Sequence, residues 1–210
     1  SRRSSRLGDS KQLSPTRNSC PLEPSPSALT RLARAGQPAG FNPRLRFPKE
    51  AIIPTEDDQL FRKTLLEGYV HDQGAAMVGG VSGHAGLFAS SNDLAILFQM
   101  LLNRGRYGDM QYFKPETVDM FTVRQSSVSR RGLGFDRWDP ESAKGYPSRL
   151  ASEETYGHTG YTGTCVWVDP KYNLVYIFLS NRVNPGVSAK LIELNIRGRI
   201  QDVIYEAIRK

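Results

Sequence analysis

The chain has 210 residues, 39% of them hydrophobic, with 9 Phe, 9 Tyr and 2 Trp, which is enough for a real core in one large domain or two small ones. Much of the net charge of +7 comes from residues 1–40, which hold six Arg and one Lys against two acids. A basic balance can serve nucleic acid or an anionic membrane. However, no aromatic residue is interleaved with those charges to stack bases, and no run of 18 apolar residues spans a bilayer, so neither partner is expected.

Residues 1–40 hold eight Ser and five Pro and lack Phe, Trp, Tyr, Ile, Val and Met. Such a stretch cannot bury enough apolar surface to offset its ordering entropy, so it reads as a disordered or non-native tail, with at most a helical turn or two over 28–35. The domain is expected over residues 41–210. Cys20 lies in the tail and Cys165 in an apolar run, so no disulfide between them is expected.

Pro43, Pro48 and Pro54 punctuate an extended entry. Thr55-Glu56-Asp57-Asp58 then predicts a short helix reaching Leu66. From Gly68 to Gly80, glycines beside polar residues form either a loop around a pocket or a plain connection. His71, Asp72 and His84 invite a metal reading, but 13 residues separate the histidines and no i,i+4 pair is present. Structural histidines are expected, without metal or cofactor.

Ser90 with Asp93 three residues on predicts a capped helix start, followed by the stripe Leu94, Ile96, Leu97, Met100 and Leu101 and an end at Asn103-Arg104-Gly105. Residues 107–113 read as a turn. Pro115 opens a second helix through about Thr122. Residues 132–136 read as a short strand and 138–152 as a loop. Thr164–Val168 and Leu174–Ser180 are apolar strands around the turn Asp169-Pro170-Lys171-Tyr172-Asn173, a hairpin central in a sheet covered on both faces. Beyond Asn184-Pro185-Gly186, the series Ile192, Ile196, Ile200, Val203 and Ala207 predicts a last helix packing that face on the sheet.

Gly157-His158-Thr159-Gly160, then Tyr161-Thr162-Gly163-Thr164, the hairpin and Leu179-Ser180-Asn181-Arg182 resemble the third motif region of the serine β-lactamase and penicillin-binding protein superfamily, closest to its class C-like hydrolases. Residues 83–94, a glycine loop running into a helix, are similar to the same family. The resemblance implies an α/β fold, an antiparallel sheet flanked by helices, and acyl-enzyme hydrolysis of β-lactams, D-amino-acid peptides or simple esters. It implies that His158 faces a serine nucleophile and that the Tyr161 N–H is an oxyanion donor. By the same resemblance Thr159 and Gly160 meet substrate, with Asn181 and Arg182 lining the cleft.

The family's nucleophile motif, Ser with Lys three residues later, is absent from the 210 residues. Tyr146-Pro147-Ser148 has the letters of the Tyr motif but sits too late in the chain. The chain is therefore expected to be the C-terminal part of a longer domain, inactive alone, whose missing N-terminal half is its first partner. Some bacterial relatives imply a module fused behind a family 3 glycoside hydrolase domain and a periplasmic or cell-envelope location. A non-catalytic pseudoenzyme or interaction module of the same fold is the alternative.

Overall fold

The computed structural model describes residues 39–139, 141 and 146–209. The expectations for residues 1–38, including the helical turns and Cys20, lie outside the described residues.

In place of the helix expected after Thr55 stands a hairpin, β1 (Pro54–Asp58) paired antiparallel with β2 (Thr64–Glu67). Thr-Glu-Asp-Asp has the composition of a helix start, but Asp58 turns its carboxylate onto the next loop. One oxygen accepts from the N–H groups of Leu60 and Phe61, the other from the N–H and Nε of Arg62. Such side-chain bonds offer the backbone an alternative to helix. Arg62 in turn donates to Glu56 at 3.1 Å and to the carbonyls of Val70 at 2.6 Å and His71 at 3.0 Å.

After α1 (Gln73–Met77), capped by Asp72, comes α2 (Ser91–Leu102). Its start is the expected capping box: Ser90 Oγ accepts from Asp93 N, and the Asp93 carboxylate accepts from Ser90 N. Ile96 and Met100 of the predicted stripe are buried, and α2 packs against the strands β7 and β8 defined below. The helix ends where Arg104 and Gly105 take φ of 52° and 88°. The turn region that follows holds a minute hairpin, β3 (Arg106–Tyr107) and β4 (Met110–Gln111). Next, α3 (Pro115–Thr122) has the predicted bounds.

The largest sheet among the described residues has the order β5-β6-β7-β8, all antiparallel: β5 (Asp136–Arg137), β6 (Tyr156–Thr159), β7 (Cys165–Asp169) and β8 (Leu174–Phe178). The strand expected over 132–136 forms only from Asp136, because Gly132 and Leu133 fold back to bond Phe135 and Phe121. The hairpin is present but not central, since β8 is an end strand of the described sheet; β7 starts and ends one residue later than expected, β8 stops at Phe178, and Asn173 closes the turn at φ 50°. All of β7 is buried. On one sheet face Cys165, Trp167 and Tyr176 pack with Tyr146, Phe178 and Ile204. Each large apolar side chain so buried contributes roughly 1.5–3 kcal/mol. Opposite Trp167, Gly157 has no room for a side chain, since a Cβ would lie 2.1 Å from the Val166 carbonyl oxygen.

The last helix is two, α4 (Lys190–Glu193) and α5 (Ile196–Ile208), separated at Asn195 with φ 47°. Its inward face is also not the predicted one. Gly198, Gln201, Asp202 and Tyr205 are buried, whereas Ile192, Ile200, Val203 and Ala207 are exposed and Ile196 is half-buried. Hydrogen bonding sets the register. The Asp202 carboxylate accepts from Ser148 and from the Arg149 N–H, and Tyr205 donates to Asp169 at 2.6 Å. Asp169 also accepts from the N–H and hydroxyl of Ser152, so this buried carboxylate is held by three donors. Among the described residues no helix is long and apolar enough to cross a membrane.

Candidate active site

Strand alternation puts His158 on the sheet face opposite Trp167, since His158 pairs with Val166 and Gly157 with Trp167. His158 is exposed there. Its Nε2 lies 2.8 Å from Arg131 Nη1 and its Nδ1 2.7 Å from the Thr159 carbonyl oxygen. A guanidinium only donates and a carbonyl only accepts, so the ring proton sits on Nδ1 and Nε2 accepts from Arg131. Arg131 is also 3.8 Å from Asp136.

Asp136 organises this corner from behind. Arg130 grips both of its oxygens, at 2.6 and 2.9 Å, and the Arg137 N–H adds a third bond. Burial pushes the Asp136 carboxyl upward, but the Arg130 guanidinium and the Arg137 N–H outweigh it and hold the group below the usual carboxylate range. Thr159, one residue on, faces the other side of the strand, the side of Cys165 and Trp167. Burial first, then the Asp136 charge, push the Tyr146 hydroxyl up to about 12. Tyr146 is thus a core residue stacked edge-on against Trp167, and Ser148 of the same tripeptide bonds Asp202.

The loop after β6 is tight. Gly160 N bonds the Thr164 carbonyl at 2.8 Å and Gly163 N the Gly160 carbonyl at 3.1 Å. A Cβ on Gly160 would meet Thr164 Oγ1 at 2.5 Å, so this turn requires glycine. Between these bonds, the Tyr161 N–H has no acceptor among the described residues. The Tyr161 side chain has two neighbours: the His71 ring centroid lies 5.0 Å away, and Arg182 Cζ lies 4.4 Å from the ring centroid. Arg182 Nε also donates to the Tyr161 carbonyl at 2.7 Å.

Of the residues singled out in the sequence, His158, Thr159, Gly160, Tyr161 and Arg182 lie along this one strand end and turn. Asn181 lies next to them but directs its amide to the carbonyls of Pro54 at 2.7 Å and Thr55 at 3.0 Å, tying the β1–β2 hairpin to the end of β8. His71 pairs with Glu56 at 3.3 Å, and His84 with Asp72 and Ser82. Among the described residues no three His, Cys, Asp or Glu side chains converge as metal ligands. Cys165 is a free buried thiol, pushed up to about 11 by burial. Sequence reasoning missed Arg131, Asp136 and the stacking role of His71. The Arg130-Arg131 doublet is visible in the sequence, but its partners are distant in the chain.

The Beta-lactamase family profile matches residues 8–198, starting upstream of the composition change near residue 40. A relative from Escherichia coli K12, assigned by name to the D-alanyl-D-alanine carboxypeptidases, is 36% identical over 192 residues, which cover 81% of this chain and 44% of the relative. An N-acetylmuramyl-L-alanine amidase of Bacillus subtilis is 35% identical over 184 residues, covering 80% of this chain and 42% of that one. The chain thus spans less than half the length of these curated relatives. A β-lactamase-named crystal structure from Bacteroides dorei DSM 17855 aligns at TM-score 0.34 and 18% identity over 58% of this chain and 47% of that one, a likeness too slight to add to the fold assignment. On the profile match and these identities, the chain belongs to the Beta-lactamase family, the serine β-lactamase and penicillin-binding protein-like superfamily, and its antiparallel sheet with flanking helices is that fold.

Proposed function

We propose that this chain forms the β-strand wall of a serine acyl-transfer site that cleaves amide bonds in cell-wall-type peptides. The observation that carries the reading is the unengaged Tyr161 N–H, on a turn fixed by Gly160, directly beyond the cationic corner of His158 and Arg131. A backbone N–H held in this way suits the oxyanion of a tetrahedral intermediate. Arg131 and Arg182 offer donors to a substrate carboxylate, as a peptide ending in D-alanine would present. The names of the relatives favour such an amide over a simple ester, and a cell-envelope setting goes with that substrate.

In this mechanism a serine oxygen attacks the scissile carbonyl carbon, the oxyanion is stabilised by the Tyr161 N–H and a second donor, and the amine leaves with a proton. Water then hydrolyses the acyl-enzyme. The serine and its lysine are not among these 210 residues. We place them on polypeptide beyond the given sequence, as the partial coverage of the relatives allows. Nucleophile loss in a comparable serine hydrolase costs on the order of 10⁶ in turnover. The 210-residue chain is therefore expected to release no D-alanine from an acyl-D-Ala-D-Ala peptide and to bind no penicillin covalently by mass spectrometry. The protein carrying Ser-x-x-Lys upstream is expected to do both. Stoichiometric acylation of the 210-residue chain would overturn the reading. A longer protein that folds but does neither would establish the non-catalytic alternative.

A further inference from the structure

Tyr161 is 61% exposed, yet its ring is contacted by two residues far apart in the chain. His71 stacks on it at an interplanar angle of 32°, and the Arg182 guanidinium lies over the ring. Each gripping residue is itself anchored. The His71 imidazole pairs with Glu56, and the His71 carbonyl accepts from Arg62, which also bonds Glu56 and the buried Asp58. Arg182 donates its N–H to the Thr162 carbonyl at 2.8 Å, its Nε to the Tyr161 carbonyl and its Nη1 to the Ser188 carbonyl at 3.0 Å. Asn181 ties the two supports together through Pro54 and Thr55.

We propose that His71 and Arg182 are positioning residues that clamp Tyr161, holding its Cα so that the N–H stays aimed at the reacting carbonyl; this rests on the acyl-transfer reading above. The physical reason is orientation. The Tyr161 N–H shares its peptide plane with the Gly160 carbonyl, which the Gly163 N–H holds at 3.1 Å, so one end of that plane is fixed within the turn. The contacts to the Tyr161 ring and the Arg182 bond to the Tyr161 carbonyl, in the following peptide, fix the other end of that plane at the Tyr161 Cα. Donor misplacement by about 1 Å costs on the order of a hundredfold in rate. Cation–π stacking and aromatic contact give the clamp its strength, and the ring edge left open can still meet a substrate.

The test has two arms. Amide hydrogen exchange of the 210-residue chain should show Gly163, whose N–H closes the turn on the Gly160 carbonyl, exchanging at least about tenfold faster in His71→Ala and Arg182→Ala, with protection kept in His71→Phe, which retains the ring contact. In the longer catalytic protein the same two alanine variants should lower kcat about tenfold to a hundredfold with KM little changed, and His71→Phe should recover most of it. Unchanged exchange, or equal loss in His71→Ala and His71→Phe, would overturn the clamp. Faster exchange with an unchanged kcat would keep the clamp and overturn the assignment of the Tyr161 N–H as oxyanion donor.

Discussion

At the scale of single residues, the carboxylate of Asp136 decides how the His158 corner behaves with pH. Its folded-state value lies below that of an unfolded Asp because Arg130 and the Arg137 N–H outweigh its burial. The sign follows: the stabilisation is complete above the unfolded value of about 3.9 and is lost as the pH falls through the lower folded value. Asp136→Asn should therefore lower the melting temperature most at about pH 5–7, with the gap to the parent chain narrowing as the pH falls below the unfolded value of about 3.9, and a gap independent of pH would refute this. His158, Thr159, Gly160 and Tyr161 were legible in the sequence because the order of glycines around a His-Thr pair survives in one dimension. Arg131, Asp136 and the stacking face of His71 were not, because each meets its partner only through the tertiary fold.

At the scale of elements, the capping box of α2, the start of α3 at Pro115 and the β7–β8 hairpin were legible because their signals are local. The first hairpin was not: Asp58 reads as a helix-start residue, and only its bonds to Leu60, Phe61 and Arg62 turn the chain into β2. The face of α5 failed for a different reason. Periodicity scores apolar residues, whereas the side against the sheet end is chosen by Asp202 meeting Ser148 and by Tyr205 meeting Asp169. Substitutions separate the two faces. Val203→Glu should change stability by no more than about 0.5 kcal/mol, whereas Tyr205→Ala should cost about 3–5 kcal/mol in urea unfolding. A Val203→Glu cost of the same size as that of Tyr205→Ala would restore the periodic face.

At the scale of the molecule, β8 is an end strand of its sheet, and no described strand pairs with its outer edge. Its sequence Leu-Val-Tyr-Ile-Phe is wholly apolar, and Ile200, Val203 and Ile208 of α5 add apolar surface elsewhere. An open edge of that composition is a template for pairing with another chain. The 210-residue chain should therefore associate as its concentration rises, seen as a concentration-dependent sedimentation coefficient, with more β signal in the associated material. A sedimentation coefficient that stays that of a monomer up to about 10⁻⁴ M would show the edge to be protected.

The buried thiol at the head of β7 turns the molecule into its own gauge of breathing. Cys165 is covered on a central strand and its thiol is raised to about 11, so a disulfide reagent finds neither access nor thiolate while the sheet is closed. In Cys20→Ser protein the modification rate then measures how often the sheet opens. Labelling should be slow in buffer, accelerate with urea, and track the loss of Trp fluorescence when opening is global. Rapid labelling in buffer would mean that β8 swings away from β7 on its own, the same motion that would bare the partner edge for association.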